Sequence, residues 1–246
     1  ATLLSSEAIE LSNIPKLSDI ISMLEAISYL GAKVCLNEND SISIDGQNNG
    51  TKPILAQLTK KTRASILLLG PLLARFGTAT IALPGGCDFG QRPIDLHLDG
   101  LEKLGASIES VNGVITATAP DGLRGCKIQL KKPSVGATEN LIMAATLAKG
   151  ETIIDNIAQE PEIHDLVELL QKMGAKIRQI STKGVKIFTK EMQVLDNQLE
   201  EITDNEAQHT SPDPQRVLRR HTTGSDLSTG KYIVDEREKD ASDETV

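Results

Sequence analysis

A short signature of a large apolar residue, a glycine and an alanine occurs three times in this chain, at intervals of about 70 residues. Its copies are Leu30-Gly31-Ala32, Leu104-Gly105-Ala106 and Met173-Gly174-Ala175. Self-similarity at a fixed period is typical of folds built from repeated structural units. We therefore expect three similar units, each built around the same combination of elements.

An amphipathic helix is predicted before each copy of the signature, because apolar residues recur there at helical spacing. They are Leu17, Ile20, Ile21, Leu24 and Ile27 in the first helix, Leu98, Leu101 and Leu104 in the second, and Leu166, Val167, Leu170 and Met173 in the third. The glycine of each signature is then expected to end its helix in a left-handed conformation.

A hairpin is predicted after each of these glycines. The predicted strand pairs are 33–36 with 41–45, 107–110 with 114–118, and 176–180 with 185–188. Asn112-Gly113 and Lys183-Gly184 are the predicted turns of the second and third hairpins.

A second kind of helix alternates with the first, at residues 64–76 and 137–149. The former is apolar nearly all round, which favours burial on every side. Each is followed by a glycine and a predicted strand, at 79–83 or 151–155. The predicted unit is inner helix, strand, outer helix and hairpin, an α/β (α+β) fold in which three units close around a core of helices. Residues 1–6 match only the end of an inner helix, so we expect either a fragment or a partner that supplies the rest.

The composition argues against several classes of protein. A formal net charge of −8 and an aromatic content of 2%, with no Trp, argue against nucleic acid as the main partner. No apolar run approaches the roughly 20 residues that span a membrane, and no signal peptide is evident. Three widely spaced cysteines without a CxxC motif do not support a disulfide or a metal site. We expect a soluble, cytoplasmic protein with no nucleic-acid or membrane partner.

The chain changes character after about residue 190. Residues 191–246 are polar and include a charged run from Asp235 to Asp240. The pattern of helix, glycine and hairpin does not continue there, and such a composition is typical of disorder. We therefore divide the chain into a domain at 1–190 and a polar, mostly disordered tail at 191–246.

Cys87 lies in a run at 83–93 that contains three glycines and two prolines. This composition excludes an ordinary helix or central strand and predicts an exposed, mobile loop. Arg92 follows five residues later and favours a lower thiol pKa, whereas Asp88 favours a higher one. Exposure beside positive charge is what thiolate chemistry requires.

Two basic clusters precede the inner helices, namely Lys60-Lys61-Thr62-Arg63 and Lys131-Lys132-Pro133-Ser134-Val135-Gly136. Free N–H groups and the helix dipole favour anions at a helix N-terminus, and cationic and hydroxyl side chains complete a phosphate site. Because both clusters have the same position in the predicted unit, we expect them to converge at one end of the domain. The alternative is a solvated basic face that flanks a buried helix.

Four further residues have structural explanations. Asp95 suits a helix N-cap, and His97, on an otherwise apolar stretch, is expected to be a buried structural histidine rather than a catalytic base. Cys35 and Cys126 lie in predicted strands, where a small buried thiol is the usual state.

Three long stretches carry a resemblance to a known family: LPGGCDFGQRPIDLHLDGLEKLGASIE, KKTRASILLLGPLLARFG and KKPSVGATENLIMAATLAKGETIIDN. They resemble the UDP-N-acetylglucosamine 1-carboxyvinyltransferases, the enolpyruvyl transferases of bacterial peptidoglycan synthesis. The similarity runs from about Ala1 to Phe188. It implies a two-domain protein in which each domain is an inside-out α/β barrel of three repeated units. This chain would cover most of one domain.

The resemblance also implies an activity, the transfer of enolpyruvyl from phosphoenolpyruvate to the 3-hydroxyl of UDP-N-acetylglucosamine. The reaction proceeds by addition and elimination, releases phosphate, uses no cofactor or metal, and serves cell wall biogenesis, cell shape and cell division. Cys87 matches a loop cysteine that is linked to proton donation, to adducts with phosphoenolpyruvate or fosfomycin, and to product release. The implied substrate-binding residues are Arg63 near the substrates, Arg92, Pro93, Ile94, Asp95 and Leu96 at the uridine, and Lys132, Pro133, Ser134 and Val135 near the diphosphate.

Some features of the family are not matched. Its members carry a Lys-Asn pair before the first inner helix and a second domain that supplies an aspartate base and further arginines. Asp88-Phe89 stands where a small or hydroxyl residue and an aliphatic one are more usual. We therefore expect this chain to hold one wall of the site and to be impaired by itself.

Three alternatives remain open. They are a non-catalytic remnant that binds a UDP-sugar or a partner protein, an enzyme like 3-phosphoshikimate 1-carboxyvinyltransferase, and a cysteine hydrolase that uses Cys87 and His97. The uridine-type segment argues against the second alternative. The lack of an evident oxyanion motif argues against the third.

Overall fold

The computed structural model of the 246-residue chain describes residues 1–37, 41–46, 50–83, 94–181 and 183–188. Its α-helices are α1 (Ser18–Tyr29), α2 (Ala56–Thr59), α3 (Leu69–Phe76), α4 (Asp95–Lys103), α5 (Val135–Ala145) and α6 (Pro161–Lys172). Its strands are β1 (Ala8–Leu11), β2 (Lys33–Leu36), β3 (Ile42–Asp45), β4 (Thr78–Ala82), β5 (Ser107–Val111), β6 (Val114–Thr118), β7 (Lys127–Gln129), β8 (Thr152–Asp155), β9 (Lys176–Ser181) and β10 (Gly184–Phe188). Two 3₁₀-helices, Thr2–Leu4 and Arg63–Leu68, accompany them.

The strands form three sheets with the same internal order. The orders are β1-β3-β2, β4-β6-β5 and β8-β10-β9, and β7 is added to the third sheet beside β8. The β7–β8 pair is parallel, whereas all other named pairs are antiparallel. In each sheet, the first strand in the chain order of its unit (β1, β4 or β8) therefore pairs with the second strand of the hairpin that follows it (β3, β6 or β10).

The helices predicted before the glycine signatures are confirmed as α1, α4 and α6. Gly31, Gly105 and Gly174 follow them with positive φ angles of 112°, 97° and 95°. Each glycine amide donates to the carbonyl three residues earlier, and the next alanine amide donates to the carbonyl five residues earlier. This pair of bonds is the Schellman motif. It explains the signature, because positive φ favours a glycine.

The three predicted hairpins are also confirmed, as β2–β3, β5–β6 and β9–β10. Asn112 and Gly113 have φ angles of 50° and 75°, as a tight two-residue turn of this kind requires. The predicted turn at Lys183-Gly184 is wrong, because Gly184 lies in β10 opposite Ser181. A Cβ at Gly184 would lie 2.8 Å from Oδ1 of Asp155, so this glycine permits a close approach instead of a turn.

The predicted inner helix at 64–76 is divided in the structure. The 3₁₀-helix Arg63–Leu68 comes first, and α3 begins at Leu69. Pro71 is the local cause, because it has no N–H and its ring clashes with the carbonyl four residues earlier, so an α-helix accommodates it in the first turn. The second inner helix, α5, ends at Ala145, four residues before the predicted end.

The core lies around α5, eight of whose eleven residues are buried. Helices α3, α4 and α6 all pack against it. Gly100 of α4 allows a close approach to α5, since a Cβ there would lie 2.5 Å from Cδ1 of Leu141. Within the described ranges, no helix is long and apolar enough to cross a membrane. The same ranges hold no group of three or more His, Cys, Asp or Glu side chains that suits a metal ion.

Candidate substrate-binding site

The start of α5 carries one of the predicted binding stretches. Ser134 occupies the N-cap position, and its hydroxyl accepts a hydrogen bond from the Ala137 N–H (3.4 Å). Lys132 and Pro133 precede it and are exposed, whereas Val135 is half-buried. A helix start of this kind presents N–H groups and the positive end of the dipole next to an exposed ammonium group. It is suited to an anionic group.

The start of α4 carries another predicted stretch. Ile94 is half-buried at the N-cap position, Asp95 is exposed and Leu96 is buried. The prediction that Asp95 is the N-cap is wrong, because Asp95 is already the first helical residue, and no side chain in the described ranges caps this helix. Its carboxylate lies in the first turn, where the helix dipole favours a negative charge.

The structure brings these two helix starts together. Lys131 Nζ lies 2.7 Å from Oδ2 of Asp99 on α4. The hydrogen bond to Asp99 raises the pKa of Lys131, and the nearby charge of Asp95 contributes in the same direction. A Cβ at Gly136 would lie 3.3 Å from Cε1 of His97. Residues 94–96 and 132–135 therefore approach each other where α4 and α5 begin.

The first basic cluster has the same local arrangement. Thr62 caps the 3₁₀-helix by accepting from the Ala64 N–H (3.3 Å), and Lys61 Nζ lies 2.6 Å from Oε2 of Glu25 on α1. Glu25 and Asp99 each lie six residues before the glycine that ends their helix. Lys61 and Lys131 thus form exposed ion pairs with the preceding outer helix, and such pairs contribute little to stability. For these two lysines the solvated basic face is the better explanation.

Arg63 is half-buried at the start of the 3₁₀-helix, which packs against α5. Within the described part of the chain, no hydrogen bond or ion pair joins its side chain to residues 94–96 or 132–135. The convergence of both basic clusters on one ligand therefore stays a prediction.

The cysteines differ from one another. Cys87, together with Arg92 and Pro93, lies outside the described residues. Cys35 is exposed on β2, so its predicted burial is wrong, because β2 is an edge strand of its sheet. Cys126 is half-buried just before β7, and burial raises the pKa of its thiol.

His97 is buried, with 7% of its surface exposed. Its Nδ1 lies 3.1 Å from Nδ2 of Asn140. Burial lowers the pKa of His97 to about 4, against a smaller opposing effect of Asp95. The expectation that His97 is buried is confirmed. Asn140 itself was missed, although an amide in the middle of an apolar helix was a visible signal in the sequence.

Comparison with known proteins identifies the family. A family profile described as EPSP synthase (3-phosphoshikimate 1-carboxyvinyltransferase) matches residues 1–201. The chain is 50% identical over 187 residues to a UDP-N-acetylglucosamine 1-carboxyvinyltransferase of Coxiella burnetii, covering 76% of this chain and 43% of that protein. It is 49% identical over 187 residues to the Finegoldia magna protein of the same name, covering 76% of this chain and 44% of that protein. The chain thus spans less than half the length of these relatives.

A solved structure agrees in fold. The crystal structure of the enolpyruvyl transferase NikO from Streptomyces tendae superposes with a TM-score of 0.66 at 19% identity, covering 76% of this chain and 44% of that one. At this identity the likeness concerns the fold alone. The profile match, which extends over most of the chain, decides the family: this chain belongs to the EPSP synthase (3-phosphoshikimate 1-carboxyvinyltransferase) family of proteins.

Proposed function

We propose that this chain is part of a UDP-N-acetylglucosamine 1-carboxyvinyltransferase. The observation that carries the proposal is the 50% identity over 187 residues to a relative of that name. The family profile takes its name from the 3-phosphoshikimate enzyme, but curated relatives at about half identity carry the UDP-sugar name. The proposal therefore places the chain in peptidoglycan precursor synthesis, in the cytoplasm.

The proposed reaction has two steps. In the addition, the 3-hydroxyl of UDP-N-acetylglucosamine attacks C2 of phosphoenolpyruvate and gives up its proton to a base proposed to come from the second domain, while another proton is added to C3. In the elimination, phosphate leaves C2 and a proton leaves C3, which restores the double bond. Cys87 is the proposed proton donor to C3, and Arg63 is proposed to lie near the two substrates.

The nucleotide is proposed to bind where α4 and α5 begin. Lys132, Pro133, Ser134 and Val135 would lie along the diphosphate, and Arg92, Pro93, Ile94, Asp95 and Leu96 along the uridine. The exposed ammonium group of Lys132 beside the N-terminus of α5 supports this assignment, because a cation and free N–H groups favour a phosphate. The approach of the two helix starts supports a single ligand for both.

The proposed architecture is the inside-out barrel of three repeated units. The common strand order of the three sheets and the central place of α5 support it. The matched relatives are more than twice as long as the segment they share with this chain. The opposite wall of the site is therefore proposed to come from a second domain.

The test is a titration of the isotope-labelled 246-residue chain with UDP-N-acetylglucosamine or with 3-phosphoshikimate. Amide NMR chemical shifts report the binding. We expect UDP-N-acetylglucosamine to shift the amides of Asp95 and Ser134, and 3-phosphoshikimate to leave them unchanged. Lys132→Gln should weaken binding roughly tenfold or more, the effect of one lost charge-assisted hydrogen bond. Lys172→Gln, which changes another exposed lysine, at the end of α6, is the matched control and should leave binding unchanged. No binding at millimolar UDP-N-acetylglucosamine, or a preference for 3-phosphoshikimate, would refute the proposal.

A further inference from the structure

Asn140 is a fully buried polar residue in the middle of α5. Its side chain makes three hydrogen bonds to groups outside its own helix. Oδ1 accepts from the Gly70 N–H (2.9 Å), and Nδ2 donates to the Ile66 carbonyl (3.2 Å) and to Nδ1 of His97 (3.1 Å). All hydrogen-bonding hydrogens of the amide are thereby used.

Two of these bonds lie at the division of the inner helix. The Gly70 N–H and the Ile66 carbonyl would bond to each other if the α-helix ran on without interruption. The Asn140 amide is inserted between them and bonds to both groups, and the Ile66 carbonyl also accepts from the Leu69 N–H. A Cβ at Gly70 would lie 2.4 Å from Oδ1 of Asn140, so the insertion requires glycine at this position. A side chain of α5 therefore fixes the point where the 3₁₀-helix ends and α3 begins.

The third bond reaches the start of α4. Because Oδ1 of Asn140 faces the Gly70 N–H, its Nδ2 must face His97 and donate to it. Nδ1 of His97 is then an acceptor, and the neutral ring carries its proton on Nε2. The ring also lies against Gly136 in the first turn of α5. His97, in the first turn of α4, is thus held against α5.

These contacts connect three stretches that carry proposed substrate residues. Arg63 opens the 3₁₀-helix whose far end Asn140 holds. His97 follows directly after residues 94–96, and α5 begins directly after Lys132 and its neighbours. We propose that Asn140 and His97 are positioning residues of the substrate site, because the Asn140 amide fixes these stretches relative to one another before the nucleotide binds. This inference rests on the proposed function.

The physical reason is preorganisation. A ligand that touches several separate elements must order them when it binds, and this ordering reduces affinity unless the fold has already done it. The Asn140 network does so from the interior, without touching the ligand. The exposed Lys131–Asp99 pair spans the same two helix starts at the surface, but a pair of this kind contributes little.

Two substitutions of His97 test the proposal. His97→Leu removes the acceptor for Asn140 and leaves an apolar side chain, whereas His97→Asn keeps an acceptor near the position of Nδ1. We expect His97→Leu to raise the Kd for UDP-N-acetylglucosamine about tenfold, as for one lost hydrogen bond. His97→Asn should recover most of the affinity. The measurement is an NMR titration of the 246-residue chain at a temperature where each variant is fully folded.

A second readout is hydrogen exchange. Loss of the network in His97→Leu should increase amide exchange together at 64–70, at 94–98 and at 135–138. His164→Leu, an exposed histidine on α6, is the matched control and should change neither exchange nor Kd. A purely structural role predicts lower stability for both His97 variants with an unchanged Kd. This result would overturn the present inference and leave the proposed function standing. A wild-type chain that binds no UDP-N-acetylglucosamine would instead overturn the proposed function and, with it, this inference.

Discussion

At the scale of single residues, two buried threonines, one in α5 and one in β8, differ in the hydrogen bonds of their hydroxyl groups. Thr152 and Thr138 are both fully buried. The Thr138 hydroxyl accepts from the Ala158 N–H (3.1 Å), whereas the Thr152 hydroxyl has no hydrogen-bond partner among the described residues. A buried hydroxyl without a partner has lost its hydrogen bonds to water without replacement.

Valine has nearly the shape of threonine and therefore separates the two cases. We expect Thr152→Val to leave the free energy of unfolding unchanged or to raise it by up to about 1 kcal/mol. Thr138→Val should lower it by about 1–3 kcal/mol, because the Ala158 N–H is left unsatisfied. Denaturant titrations of the two variants check this prediction. An equal loss in both would show that the Thr152 hydroxyl is bonded.

His97 makes stability depend on pH. Burial lowers its pKa from 6.5 to about 4 in the folded chain. The unfolded chain therefore takes up a proton on this residue at a pH where the folded chain does not. The stability that the folded chain gains from a neutral His97 is fully present above pH 6.5 and is lost as the pH falls towards 4. The expected loss over this interval is about 3 kcal/mol.

The measurement compares wild type and His97→Asn in denaturant titrations at several pH values between 4 and 7. The wild type should lose stability faster than the variant as the pH falls, since only the wild type carries this proton uptake. His164→Asn, exposed on α6, should keep the wild-type dependence. Parallel curves for wild type and His97→Asn would contradict the prediction.

At the scale of elements, Gly70 lies within α3, where alanine would ordinarily favour the helix by about 1 kcal/mol. Here a Cβ would lie 2.4 Å from Oδ1 and 2.5 Å from the backbone carbonyl oxygen of Asn140. In the Gly70→Ala variant, overpacking and the loss of the hydrogen bond between the N–H of residue 70 and Asn140 should together lower the free energy of unfolding by roughly 3 kcal/mol.

Ser28→Ala, at an exposed position of α1, is the control for Gly70→Ala. It should raise the free energy of unfolding by at most about 0.5 kcal/mol, in line with helix propensity alone. Thermal or denaturant unfolding checks both variants. A Gly70→Ala chain as stable as wild type would mean that α3 and α5 can move apart at no cost.

The elements differ in how far sequence alone predicts them. Helices α1, α4 and α6 and the three hairpins follow from spacing and glycine placement, which are local properties. The division between the 3₁₀-helix and α3 was missed, although Pro71 was a local signal for it. The remaining cause is Asn140, 70 residues away from Gly70 along the chain. Periodicity within one segment contains no information about such a partner.

The candidate site shows the same limit. The burial of His97 is predictable from neighbouring residues, and the structure agrees with it. Asp95 was predicted to be the N-cap residue, and the structure places the N-cap one position earlier, at Ile94. The backbone conformation of one residue decides which position begins the helix. The approach of residues 94–96 to residues 132–135 depends on the packing of α4 against α5.

At the scale of the whole molecule, the domain boundary stays a prediction. The buried core of the described chain extends from Leu3 to Phe188, whereas the family profile continues to residue 201. A chain that ends at Lys190 is expected to keep the free energy of unfolding of the 246-residue chain within about 0.5 kcal/mol, because surface changes away from a core have effects of this size.

Denaturant titration measures both the midpoint and the slope for the two chains. An equal slope would mean that residues 191–246 bury little surface on folding, since the slope follows the surface exposed on unfolding. A chain that ends at residue 201 is the control, because it retains the whole profile match. If this chain is stable and the shorter one is not, the domain extends beyond residue 190.

The sequence by itself determined the outer helices α1, α4 and α6, the three hairpins and their order along the chain. Helical spacing, strand pairs and a glycine that accepts positive φ act between residues a few positions apart, so they can be read along the chain. Only the tertiary structure decided how the pieces of the candidate site are held together. Asn140 meets His97, 43 residues away, and Gly70, 70 residues away, only after α5 has packed between α3 and α4. A buried amide must find its partners wherever packing places them, and that placement is a property of the whole fold.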